Sequence, residues 1–138
     1  LAQVWDDNGW HIDFPAEAAA AATHIPVPTF VGGPAVFGRD PARNTKSIYA
    51  ITTDGKLAQV WDDNGWHIDF PAEAAAAATH IPVPTFVGSP AVFGRDPARN
   101  TKSIYAITTD GKLAQVWDDN GWHIDFPAEA TGHPKFRA

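Results

Sequence analysis

Short runs of alternating apolar and polar positions, each ended by glycine, asparagine or proline, set the pattern of this chain. Residues 47–53 (SIYAITT) are rich in β-branched and aromatic side chains and are followed by Asp54-Gly55, the strongest short hairpin signal, and then by Leu57–Asp62 (LAQVWD). In that second run Leu57, Gln59 and Trp61 fall on one face and Ala58 and Val60 on the other, the period of a packed strand. A further turn, Asp63-Asn64-Gly65, leads into residues 66–70 (WHIDF), which stop at Pro71. Upstream, residues 33–38 (GPAVFG) form a short apolar run followed by a charged loop, 39–46. The pattern predicts four antiparallel strands joined by tight turns: A (33–38), B (47–53), C (57–62) and D (66–70).

Helix signals are thin. Pro15, Pro26, Pro28, Pro34 and Pro41 interrupt the first unit so that no long helix survives, and only residues 16–22 have helical propensity, one to two turns that would be marginal alone. The run His24-Ile25-Pro26-Val27-Pro28 reads as a stiff connector.

This unit is repeated. Residues 1–56 and 57–112 are identical except for Gly33 against Ser89, and 113–129 begin a third copy. Strand order is therefore CD, ABCD, ABCD: a half blade at 1–17, full blades at 33–73 and 89–129, connectors at 18–32 and 74–88, and a divergent tail at 130–138. Tandem four-stranded meanders with Trp and Gly at fixed places are the signature of a β-propeller. The fold class expected is all-β, propeller blades. A β-trefoil has repeats of similar size but needs three. Propellers close with about four to eight blades, so two full blades must be completed by other chains. A trimer giving six blades is favoured, and a dimer giving four or five is the alternative. Each chain carries three CD pairs and two AB pairs, so one hairpin is surplus, an invitation to strand exchange or domain swapping.

Composition narrows the function. Ten Lys and Arg against sixteen Asp and Glu give a net charge of −6 with no basic run, which removes the electrostatic footprint of a nucleic-acid binder. No cysteine means no disulfide framework, Cys-based zinc site or thiol nucleophile. The five-alanine run falls far short of the roughly 20 apolar residues of a membrane helix, so no membrane insertion is expected. Neither a signal peptide nor an initiator Met is visible, and Leu1 reads as a processed, trimmed or engineered start.

The segment SIYAITTDGKLAQVWDDNGWHIDF resembles one blade of the small propeller lectins, the Aleuria-type fucose lectins and the Photorhabdus-type lectins. In those families an apolar strand leads to a TDG turn, a Leu-containing strand, a W-D-x-x-G-W turn and an outer strand. The resemblance implies carbohydrate binding, and some relatives build a six-bladed ring from three two-bladed chains. Fucose lectins of this type place Arg on strand B and Glu on strand C. Here strand B carries Ile48, Tyr49 and Ala50, and strand C carries Gln59, a departure from the fucose pattern.

The aromatic set is the strongest candidate chemistry, because a sugar ring stacks its C–H face on an aromatic ring while polar side chains satisfy its hydroxyls. The candidates are Tyr49, Gln59, Trp61, Asn64, Trp66, His67 and Arg39, with Asp63 and Asp40 nearby. Their repeats are Tyr105, Gln115, Trp117, Asn120, Trp122, His123 and Arg95, and Gln3, Trp5 and Trp10 in the first copy. Inter-blade packing explains the tryptophans equally well, and turn chemistry explains Asp63-Asn64-Gly65. Asp62-Asp63-Asn64-Gly65 lacks the alternating oxygens and distal Glu of a calcium loop, and His67-x-Asp69 lacks a partner cluster, so no metal and no cofactor are expected. Exact repetition argues against an enzyme, whose active site breaks symmetry; a sialidase- or glycosidase-like activity would need two carboxylates across one bond. The function expected is a non-catalytic, multivalent glycan-binding homo-oligomer. The alternative is a designed or recently duplicated structural fragment without ligand binding, a reading drawn from identity at 55 of 56 positions.

Overall fold

A computed structural model describes residues 1–40, 45–96 and 101–130. Along the chain come β1 (Gln3–Asp6), β2 (Trp10–Asp13), α1 (Pro15–Thr23), β3 (Phe30–Asp40), β4 (Thr45–Thr52), β5 (Leu57–Asp62) and β6 (Trp66–Asp69). They are followed by α2 (Pro71–Thr79), β7 (Phe86–Asp96), β8 (Thr101–Thr108), β9 (Leu113–Asp118), β10 (Trp122–Asp125) and α3 (Pro127–Ala130). Strands β3-β4-β5-β6 form one antiparallel sheet and β7-β8-β9-β10 another in the same order, while among the described residues β1 and β2 pair only with each other. The all-β architecture of four-stranded blades expected from the pattern is present, with blade 1 as β3–β6 and blade 2 as β7–β10.

Turn chemistry sets the registers. Gly55, at φ 88°, closes the β4–β5 hairpin, where the Thr52 N–H donates to the Lys56 carbonyl at 2.9 Å. The β5–β6 turn uses two left-handed residues, Asn64 at φ 51° and Gly65 at φ 119°, as an Asn-Gly hairpin demands. Strand A is longer than its apolar run predicts. It extends back to Phe30 because a register shift between Val31 and Ala35 absorbs Pro34, which has no N–H to give to a ladder.

The alanine run is also more ordered than expected. Instead of one to two marginal turns, Pro15–Thr23 and Pro71–Thr79 are nine-residue helices. Proline at the first helical position costs no hydrogen bond there. A left-handed residue, His24 or His80 at φ 60°, closes the far end. Packing supplies the rest: Ala72, Ala75 and Ala76 are buried, and their small side chains bring α2 down onto β10, as α1 comes down onto β6. Residues 18–32 and 74–88 therefore hold most of a helix and the start of the next A strand as well as connector.

The main core lies between the blades. Tyr49, Ile51 and Leu57 of blade 1 cluster with Ile104, Ala106, Ala114, Val116 and Ile124 of blade 2, and with Ala72 and Ala75 of α2. A smaller cluster places Ala16 and Ala19 of α1 on Val60 and Ile68. The single position at which the two units differ sits at the inter-blade contact, where the Gly33 N–H donates to Ser89 Oγ at 2.7 Å.

Candidate functional site

Alternation along β4, β5 and β6 puts Tyr49, Gln59, Trp61, His67 and Asp69 on one face of blade 1, because Tyr49 pairs with Gln59, Gln59 with Asp69 and Trp61 with His67. Tyr49 donates its hydroxyl to Gln59 Oε1 at 2.5 Å, and Gln59 Nε2 donates to Asp69 Oδ1 at 2.9 Å. Blade 2 covers this ladder, leaving Tyr49 at 0% and Gln59 at 6% exposure. Burial pushes the Asp69 carboxyl up to about 6, against the opposing pull of the Gln59 hydrogen bond and the Lys102 charge. In blade 2 the same ladder, Tyr105 to Gln115 at 2.9 Å and Gln115 to Asp125 at 3.1 Å, is partly open. The first copy keeps its Gln3–Asp13 rung at 3.0 Å.

Beyond the ladder, Trp61 and His67 stack with centroids 5.2 Å apart and planes at 22°. Trp5 with His11 and Trp117 with His123 repeat the stack at 5.2 and 5.3 Å. In each, the imidazole Nε2 lies 2.8 Å from a main-chain carbonyl of the preceding turn, that of Asp7, Asp63 or Asp119. A carbonyl only accepts, so Nε2 is the donor in each of these contacts. Asn64 and Asn120 are exposed turn residues.

Trp66 lies on the opposite sheet face. Lys46 sits 5.6 Å above its ring and bonds Asp62 through its backbone N–H at 2.6 Å and its ammonium at 3.0 Å. Burial pushes the Asp62 carboxyl up, but these Lys46 contacts outweigh it and hold the group below its ordinary value. Trp122 has Lys102 at 5.7 Å in the same way, whereas Trp10 is 76% exposed. The side chains of Arg39, Asp40 and Arg95 lie outside the described residues, as do the loop 41–44 and the tail 131–138. Among the described residues no three His, Asp or Glu side chains gather as metal ligands.

The structure also forms a cleft that sequence reasoning did not single out. In blade 1 the connector Ile25-Pro26-Val27-Pro28-Thr29 runs beside the turn Thr52-Thr53-Asp54, with Lys56 and Phe70 completing a cleft of about 530 Å³. Thr29 and Thr53 hydroxyls bond across it at 2.8 Å, and Lys56 lies 5.4 Å above the Phe70 ring. A corresponding cleft recurs in blade 2 at about 570 Å³, built by the residues 56 positions on, Ile81 to Thr85, Thr108 to Asp110, Lys112 and Phe126, with Glu129 added. Both volumes fall in the range of about 300–1,000 Å³ typical of small-molecule sites. One wall is apolar, from Pro and Val; the other offers hydroxyls, a carboxylate and an ammonium. The segments were visible separately as a stiff connector and a hairpin turn, 24 residues apart in sequence, and only the fold brings them side by side in space.

No protein-family model and no curated protein sequence matches the chain. Among solved structures it is similar to a fucose lectin from Kordia zhangzhouensis in complex with methyl-fucoside. The TM-score is 0.56 at 16% identity, covering 88% of this chain and 76% of that one. The likeness is one of fold.

Proposed function

We propose that the chain is a non-catalytic carbohydrate-binding module whose avidity comes from repetition. The observation that carries this reading is the recurrence, with ten equivalent lining residues in both blades and Glu129 added in the second, of an amphipathic cleft on a fold shared with a fucose lectin. A saccharide needs an apolar surface for its C–H face and polar groups for its hydroxyls, and the Pro-Val wall facing Thr53 and Asp54 supplies both. The Trp–His stacks, with Tyr105, Gln115 and Asn120 beside them in blade 2, form a second aromatic shelf for the same chemistry. Strand B carries no Arg and strand C carries Gln59, so fucose is one sugar among those to be tested.

Several copies of the chain complete the ring, three copies giving six blades, and each blade contributes an equivalent weak site; linked sites gain affinity without new contacts. Free monosaccharide then binds weakly and a multivalent glycan surface strongly. A glycan array with free-sugar competition tests the reading. Retention on one glycan class, reversed by its free sugar, is the expected result. No retention on any glycan would leave the alternative, a designed or recently duplicated propeller fragment without a ligand.

A further inference from the structure

We infer that each cleft selects a saccharide bearing an ammonium group, an unacetylated amino sugar, over its neutral, N-acetylated and acidic counterparts. The inference rests on the proposed carbohydrate binding at these clefts and names the class of sugar they take.

Charge at the clefts is uneven. The first has the Asp54 carboxylate and the Lys56 ammonium in its lining, with Glu73 behind the lysine; the second is lined by Asp110, Lys112 and Glu129. Two carboxylates against one ammonium leave a formal charge of one negative at each, on a chain that carries −6 overall. An anionic sugar meets repulsion there, and a cationic one meets attraction.

The lysines are already engaged. Lys56 Nζ lies 3.6 Å from Glu73 Oε2 and 5.4 Å above the Phe70 ring. That glutamate oxygen is closed off from solvent and accepts no hydrogen bond among the described residues, so the lysine charge is what offsets its burial. In blade 2 Lys112 Nζ lies 3.0 Å from Glu129 Oε2 and 5.5 Å above the Phe126 ring. The hydrogen bond from Lys112 to Glu129, with the charge of that glutamate, holds the ammonium pKa above its ordinary value. Each lysine thus neutralises a glutamate and caps an aromatic ring, which leaves the aspartate to set the charge that a ligand meets.

Each aspartate is held in place by its own hairpin. Thr52 donates its hydroxyl to Asp54 Oδ1, and Thr108 donates to Asp110 Oδ1 at 2.5 Å. A carboxylate accepts at both oxygens, so a fixed carboxylate keeps capacity for an N–H from a ligand. Beside it stand the paired hydroxyls of Thr29 and Thr53, 2.8 Å apart, repeated by Thr85 and Thr109 at the same distance. An amino sugar carries its ammonium and its hydroxyls on neighbouring ring carbons. The carboxylate takes the first, the threonines take the second, and the Pro-Val wall takes the C–H face. An ammonium–carboxylate hydrogen bond is about twice as strong as a neutral one, and acetylation of the nitrogen removes that charge.

Calorimetric titration with oligosaccharides of one length and linkage tests the proposal: a glucosamine oligomer, its N-acetylated form, a glucose oligomer and a glucuronate oligomer. The glucosamine oligomer should bind roughly tenfold tighter or more than the N-acetylated and glucose forms, the factor expected of one hydrogen bond to a charged group, and the glucuronate oligomer should bind weakest. Raising the salt from about 0.05 M to about 0.5 M should erase most of that preference. Asp54→Asn with Asp110→Asn keeps a residue that suits the hairpin turn and removes the charge, so it should bind the glucosamine and glucose oligomers alike. Equal or tighter binding of a neutral or acidic oligomer by the unaltered chain would overturn the inference and leave carbohydrate binding standing. A preference for glucosamine that survives in the double variant would do the same. If that variant loses its cooperative unfolding transition, the unaltered chain decides, and a preference that salt does not weaken would overturn the inference. Binding of none of the oligomers would end this inference and the lectin reading together.

Discussion

Single residues decide how closely the blades approach and at what pH they hold. Asp69 is half-buried at the edge of the inter-blade contact, its carboxyl raised from 3.8 to about 6 by burial, with Gln59 and Lys102 beside it. A raised carboxyl means the folded state holds the proton more tightly than the unfolded one, so this group favours folding below about pH 4 and that contribution is lost as pH rises through about 6. Thermal unfolding followed from pH 4 to 7 should show a decline that Asp69→Asn flattens; an unchanged slope in the variant would contradict this. Asp62 acts in the opposite sense, its lowered carboxyl contributing stability that is lost only below 3.8, outside that window. The glycine pair offers a second test. Gly94→Ala forces a Cβ into the Phe37 ring, whereas Gly38→Ala meets open space. The first should lower the midpoint of urea unfolding by the equivalent of about 1–3 kcal/mol, the usual cost of overpacking, and the second should leave the monomer's midpoint unchanged.

At the scale of elements, one sequence in three settings isolates what packing contributes. Val60 and Val116 are each 1% exposed, whereas Val4, the same residue of the same hairpin, is 59% exposed. Val→Ala should cost about 1–2.5 kcal/mol at positions 60 and 116, as loss of buried methyl groups does, and almost nothing at position 4 in the monomer. Urea unfolding of the three variants checks it. The hairpins themselves were legible because their information is local: Asp54-Gly55 and Asn64-Gly65 require left-handed backbone, and Leu57, Gln59 and Trp61 alternate with Ala58 and Val60. Helices α1 and α2 were less so, since five alanines have propensity but no hydrophobic stripe, and it is the sheet beneath Ala72 and Ala75 that decides their length. The same reason hid the clefts. Val27, Pro28, Thr53 and Asp54 have no periodicity in common, and their meeting depends on how a connector crosses a turn.

The whole molecule is governed by its repeat. Two blades of nearly identical sequence bury one pair of faces against each other, while α1 covers Val60 and Ile68 on the other face of blade 1 and Val36 and Phe93 stay exposed. Repetition has a consequence for binding, because whatever the cleft over Phe70 holds, the cleft over Phe126 is built to hold as well. The central claim is that these paired clefts bind a saccharide, and the most direct measurement is a calorimetric titration with a glycan selected on the array. Two equivalent sites per chain should appear, falling to one in Asp54→Ala and to none in Asp54→Ala with Asp110→Ala, while the fold persists. Full binding by the double variant would contradict the account.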